Sequence, residues 1–156
     1  VHQTLGAGGE APSRPTPNPS DQRPCEVLVV DDEPAVREIL RRMLTRLGCR
    51  CVTAAGGREG LDRVAARCPD LILLDLIMPE MNGVAFLAAL REQQPDLPVV
   101  LVTGHPDSVL VRDAMEHPPI LLLPKPVDDV ALARTVRAVL GPRVPRRDAA
   151  SAGAAK

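Results

Sequence analysis

Five side chains have the types and spacing to do chemistry together: Asp31, Asp32, Asp75, Thr103 and Lys125. Each follows a short apolar run. Val27 to Val30 precedes Asp31-Asp32, Leu71 to Leu74 precedes Asp75, Val99 to Val102 precedes Thr103, and Ile120 to Leu123 precedes Lys125. Such runs suit strands buried on both faces of a parallel sheet. Ligands of open α/β sheets bind at the carboxyl ends of the strands, so the five side chains converge on one edge. Three clustered carboxylates repel one another and call for a cation. A hard, oxygen-ligated ion, Mg²⁺ or Mn²⁺, meets that need and also takes phosphate oxygens. The predicted ligands are Asp32, Asp75 and the backbone carbonyl of Ile77, with Asp31 acting through water. Asp75 then becomes a nucleophile toward a phosphoryl group, giving an acyl phosphate. The cation and the Lys125 ammonium neutralise the equatorial oxygens. Thr103 donates a hydrogen bond to the attached group, and Gly104 leaves room for it.

The elements that must position these residues can be read in order. Glu26 to Val30 is a strand. Asp31-Asp32-Glu33-Pro34 is an acidic helix start with Pro near the first turn. Val36, Ile39, Leu40, Met43, Leu44 and Leu47 fall on one helical face, and Gly48 ends the helix. A second strand covers Arg50 to Ala54. A second helix covers Gly57 to Cys68, with Leu61, Val64, Ala65 and Cys68 inward. Leu71 to Asp75 is the third strand and Gly83 to Gln94 the third helix. Pro98 to Thr103, Asp107 to His117, Ile120 to Leu123 and Asp128 to Leu140 complete five strand-then-helix units. Strict alternation predicts an α/β fold: a doubly wound, five-stranded parallel sheet with helices on both faces. The domain is predicted over 25–140, with a flexible Pro/Gly-rich linker over 1–24 and a disordered tail over 141–156.

Composition narrows the function. The chain has 156 residues and a formal net charge of −1, so no global charge favours nucleic acid or membrane. Phe86 is the single aromatic residue, which leaves no platform for stacking on bases. No apolar run is long enough to cross a bilayer, and no signal peptide is visible. The four cysteines lack metal-type spacing and read as reduced small hydrophobes in a cytoplasmic protein. Cys49 and Cys51 share a strand face, which makes a redox pair conceivable.

Taken together, Val29-Val30-Asp31-Asp32-Glu33-Pro34, Leu74 to Gly83, Thr103-Gly104 and Lys125-Pro126 resemble a response-regulator receiver domain, the CheY-like phosphoacceptor of two-component signalling. The resemblance implies a flavodoxin-like strand order 2-1-3-4-5. It implies phosphotransfer to Asp75 from the phosphohistidine of a sensor histidine kinase or phosphotransfer protein. It also implies a switch face built from helix four, strand five and helix five, available for homodimer formation. In this family the Lys-Pro peptide is cis, so Lys125-Pro126 is predicted cis. No nucleic-acid or direct membrane contact is expected, and no output domain fits after Leu140. A Pro/Gly-rich start followed by a receiver resembles the C-terminal end of a hybrid histidine kinase, with a stand-alone receiver as the alternative.

The departures are specific. Leu122 occupies the position where the family carries the aromatic residue of its switch. His117-Pro118-Pro119 precedes strand five, and prolines cannot donate ladder bonds, so that strand should start late. Ile77 and His105 lie two residues after Asp75 and Thr103. An apolar Ile77 should hinder an attacking water, and His105 should hold or screen the phosphoryl group. Read singly, the residues have plainer roles: Asp31-Asp32 as a helix cap, Asp75 as a turn residue, Thr103 as a satisfied strand-end hydroxyl, Lys125, His105 and His117 as solvated loop residues. Two functional alternatives share features with the receiver reading. One is a pseudo-receiver, an interaction module with no phosphorylation. The other is a haloacid-dehalogenase-type phosphatase, which wants an acid at the position of Ile77.

Overall fold

The computed structural model describes residues 23–144. Strand and helix alternate five times: β1 (Glu26–Val30), α1 (Pro34–Arg46), β2 (Arg50–Ala54), α2 (Gly57–Ala66), β3 (Leu71–Leu74), α3 (Gly83–Gln93), β4 (Val99–Thr103), α4 (Val109–Ala114), β5 (Ile120–Pro124) and α5 (Asp129–Leu140). The strands form one parallel sheet in the order β2-β1-β3-β4-β5. Successive residues of a strand point to opposite faces. Leu28, Val30, Ile72, Leu74 and Leu101 therefore pack with Val64, Phe86, Leu90 and Val111 of α2, α3 and α4. Val27, Val29, Leu71, Leu73, Val100 and Val102 pack with Leu40 and Leu44 of α1 and with Leu132 and Val136 of α5. Two covered faces are the reason the strands read as unbroken apolar runs.

Local chemistry sets the helix starts. Asn82, Ser108 and Asp128 each accept a hydrogen bond from a backbone N–H three residues on, opening α3, α4 and α5. α1 differs from the expected acidic cap. Glu33 occupies the cap position without a side-chain bond, Pro34 supplies the first turn, and the Asp31 carboxylate accepts from the Glu33 N–H at 2.9 Å.

Several expected boundaries shift. Strand three stops at Leu74, one residue before Asp75. α2 ends at Ala66, and Ala65 and Cys68 are exposed. Its inward face is Gly57, Gly60, Leu61 and Val64, with Gly60 so close that a Cβ on it would press on Phe86 and Val30 at 3.0 Å. α4 covers only Val109–Ala114 where Asp107 to His117 was expected, since the Ser108 cap fixes its start. β5 begins after Pro118-Pro119 but is not shortened: Ile120 pairs with Val99, the first residue of β4. The segment before it is held by Arg91, whose guanidinium donates to the carbonyls of Gln94, Leu97, His117 and Pro119. Part of the stretch expected as tail is structured. Gly141–Arg143 is a 3-10 turn, and Val144 is buried in the α1–α5 core. The expected linker up to Asp21-Gln22 and the tail from Pro145 lie outside the described residues.

Both ends of the described chain meet at the amino-terminal edge of the sheet. Asp70 accepts from the Glu26 N–H at 2.8 Å through one oxygen and pairs with Arg143 at 2.7 Å through the other.

Candidate functional site

Register brings the acidic residues together. Val30 pairs with Leu74, so the chain emerges from β1 and β3 side by side at Asp31 and Asp75. The Asp75 N–H donates to the Val30 carbonyl at 2.9 Å, and the Asp31 N–H to that of Ala54 at 3.2 Å. On the other flank Thr103 pairs with Pro124, and the Lys125 N–H donates to the Thr103 carbonyl at 2.7 Å. Four strand ends thus deliver Asp31, Asp32, Asp75, Thr103 and Lys125 to one edge.

Carboxylate oxygens of Asp31, Asp32 and Asp75 lie within 4.8 Å of one another. Asp31 and Asp75 are buried and Asp32 is half-buried. The Lys125 ammonium sits 3.4 Å from Asp31 and 3.9 Å from Asp75. Both distances exceed those of a tight charged hydrogen bond, about 2.7–2.9 Å, so one lysine bridges the cluster loosely. Burial and the neighbouring Asp31 charge push the Asp75 carboxyl up from the ordinary 3.8 to about 6, against the pull of Lys125 and the Ile77 N–H. At neutral pH Asp75 is still mostly ionised, and its free energy is raised by its surroundings. Three carboxylates against one ammonium leave excess negative charge, and every donor is a hard oxygen. That donor set fits a divalent cation of the Mg²⁺ class and no soft metal.

The remaining predicted residues divide. The Ile77 N–H donates to Asp75 at 3.3 Å, and its side chain is 56% exposed beside that carboxylate. Thr103 is buried, and its hydroxyl oxygen accepts the His105 N–H at 3.0 Å, leaving the hydroxyl hydrogen free to donate elsewhere. His105 itself is exposed. Gly104 is exposed, and a Cβ there would meet nothing within 4 Å. Leu122 is half-buried against the core formed with α2, α3 and α4. The Lys125–Pro126 peptide is cis, and so is Pro118–Pro119.

Two residues and a groove to which sequence reasoning assigned no part in the site also shape it. Arg37 donates to the Asp31 carbonyl at 2.7 Å and fixes the start of α1 against the β1 tip. A Cβ on Gly83 would stand 2.7 Å from the Leu76 Cα and 2.9 Å from the Asp75 carbonyl, so only glycine lets α3 begin against the Asp75 loop. Its place right after the capping Asn82 was the available signal. Beside Lys125 an apolar groove runs between α1 and the β5–α5 loop, lined by Val36, Ile39, Leu40, Pro126 and Val127. Ile39, expected on the inner face of α1, is 52% exposed there.

A model of the family described as the response regulator receiver domain matches residues 27–137. The DNA-binding transcriptional regulator NtrC of Escherichia coli (strain K12) is 39% identical over 114 residues, 72% of this chain and 24% of that protein. The response regulator MprA of Mycolicibacterium vanbaalenii is 41% identical over 118 residues, 75% of this chain and 51% of that one. The chain thus spans a quarter to a half of the length of these curated relatives. Among solved structures, the signal receiver domain of a signal transduction histidine kinase from Syntrophus aciditrophicus matches with a TM-score of 0.68 at 33% identity, covering 80% of this chain and 96% of that one.

Proposed function

The chain belongs to the response regulator receiver domains, and from that membership we propose that it is a phosphoacceptor of a cytoplasmic two-component phosphorelay, with Asp75 as the acceptor. One observation carries the reading: a buried carboxylate, pushed to about 6, stands within reach of both a carboxylate cluster and the Lys125 ammonium. An ionised Asp75 oxygen attacks phosphorus in line while the bond to the donor histidine nitrogen breaks, and the phosphoryl group becomes an acyl phosphate. Lys125, loosely shared between Asp31 and Asp75, moves onto the arriving oxygens. Thr103 turns its free hydroxyl hydrogen toward them. Asp32, Asp75 and the Ile77 carbonyl would hold Mg²⁺ or Mn²⁺, with Asp31 acting through water. A bound cation supplies charge neutralisation at the phosphoryl oxygens.

The donor is a sensor histidine kinase or a phosphotransfer protein. Its docking surface is the apolar groove beside Lys125, where Ile39 stands exposed. The output face is α4, β5 and α5, where exposed Val109, Met115 and Leu121 suit a homodimer or another partner. No helix among the described residues is long and apolar enough to cross a membrane.

The test is incubation with acetyl phosphate, with and without Mg²⁺. One phosphoryl group should appear on Asp75 in the presence of the ion, and none on Asp75→Asn. Ile39→Glu should keep that labelling and lose transfer from a phosphohistidine protein. The second reading is an interaction module of the same fold that is never phosphorylated, favoured by Leu122 in place of the family's aromatic switch residue. Absence of labelling at any Mg²⁺ concentration decides for it.

A further inference from the structure

At the edge of the sheet away from the carboxylates, two thiols face each other. The parallel register pairs Glu26 with Arg50, so one step back along both strands Cys25 lies opposite Cys49. Neighbouring strands run about 4.8 Å apart, within the Cα separation of about 4.4–6.8 Å that a disulfide needs. The two Sγ atoms are 2.6 Å apart, and both side chains lie in the core shared with α1 and α5. Cys25 is 0% and Cys49 5% exposed. The other cysteines are occupied differently: Cys51 points toward the Val52 carbonyl, and Cys68 is exposed beside Pro69. The sulfur that meets Cys49 therefore comes from the neighbouring strand, and the pair read from sequence, Cys49 with Cys51, is replaced by Cys25 with Cys49.

We propose that Cys25 and Cys49 form a redox-responsive dithiol which a hydroperoxide converts to a disulfide, stapling β1 to β2 around the intervening α1. Cys49, the slightly exposed partner, attacks the peroxide oxygen. The O–O bond breaks, water or an alcohol leaves after protonation, and Cys49 becomes a sulfenic acid. The Cys25 sulfur then attacks the Cys49 sulfur, the S–O bond breaks, and the sulfenic oxygen leaves as water, taking up the proton of the Cys25 thiol. The two thiols lose two electrons and two protons, and the peroxide is reduced by two electrons. Burial pushes the Cys49 thiol up, so the reaction is slow at neutral pH and quickens as pH rises. The same burial shields the finished bond from reductants. The closed loop carries Asp31 and Asp32 but leaves the phosphoacceptor edge untouched, so the proposal stands apart from the function proposed for Asp75.

The experiment is native oxidation with hydrogen peroxide, followed by denaturing alkylation, intact mass and tryptic mapping. Trypsin cuts after Arg50, which puts Cys49 and Cys51 on separate peptides. The expected result is an intact mass with two alkyl groups where the reduced control carries four, one linked peptide pair joining Cys25 to Cys49, alkylated Cys51 and Cys68, and a thermal midpoint higher by about 10 °C. Cys25→Ser should leave Cys49 unlinked after the same treatment. Four alkylatable thiols after oxidation, a link that includes Cys51 or Cys68, or Cys25 and Cys49 oxidised without a link would each overturn the assignment. The wild-type mapping decides by itself if the variant does not fold.

Discussion

Asp75 sits where two demands conflict. The fold buries it beside Asp31, and the proposed chemistry needs it ionised. The conflict has a measurable sign. Between about pH 4 and pH 6 the folded chain keeps a proton on Asp75 that the unfolded chain has released. Stability from this group is therefore greatest at low pH and is lost as pH rises through about 6. Two pKa units correspond to roughly 3 kcal/mol, and screening at a site open to water on one side reduces this to about 1–2 kcal/mol. Asp75→Asn should stabilise the metal-free domain by that amount at pH 7–8 and by almost nothing at pH 4, read from urea denaturation. An equal effect at both pH values would show that Asp75 is not strained by its neighbours. Ile77 makes a second prediction at this scale. Its exposed apolar side chain borders the proposed acceptor carboxylate, so Ile77→Asn should shorten the acyl-phosphate lifetime, followed by phosphate release. An unchanged lifetime removes Ile77 as a barrier to water. The carboxylates and Lys125 were legible in the sequence because each type ends a strand. The Thr103–His105 contact was not, since loop geometry decides whether a hydroxyl gives or receives.

The elements show where sequence reading succeeds and where it stops. Strand number and both covered faces follow from apolar runs alternating with amphipathic helices, whereas the strand order came only with the resemblance to receiver domains. Helix ends do not, because they depend on single caps: Ser108 trims α4, and α2 stops before Cys68. Arg91 was invisible for a similar reason. A guanidinium on α3 that serves four carbonyls in two separate connections leaves no periodic trace. Glycines separate by what surrounds them. Gly83→Ala drives a Cβ into the backbone of Leu76 and Asp75 and should cost about 2–3 kcal/mol of stability. Gly104→Ala points into open space and should stay within about 0.5 kcal/mol. Equilibrium denaturation of the two variants checks both. Equal costs would mean that the α3 start does not depend on that close approach.

At the scale of the whole molecule, the acidic edge links ion binding to stability. A divalent ion that binds only the folded form should stabilise it by about 2.7 kcal/mol at a hundredfold excess over its dissociation constant. Thermal melts with increasing Mg²⁺ should rise and saturate, and Asp32→Asn should flatten the rise. A wild-type melt indifferent to Mg²⁺ would leave the carboxylate cluster without its cation. The opposite edge has a different consequence. Asp70 holds the start of β1 and the turn after α5 within one side chain, so the two ends of the domain share a doorway on the face opposite the reactive cluster. Such a body can be threaded into a longer polypeptide as a bead on a string, ahead of or behind other modules, with both junctions at the edge away from its acidic cluster.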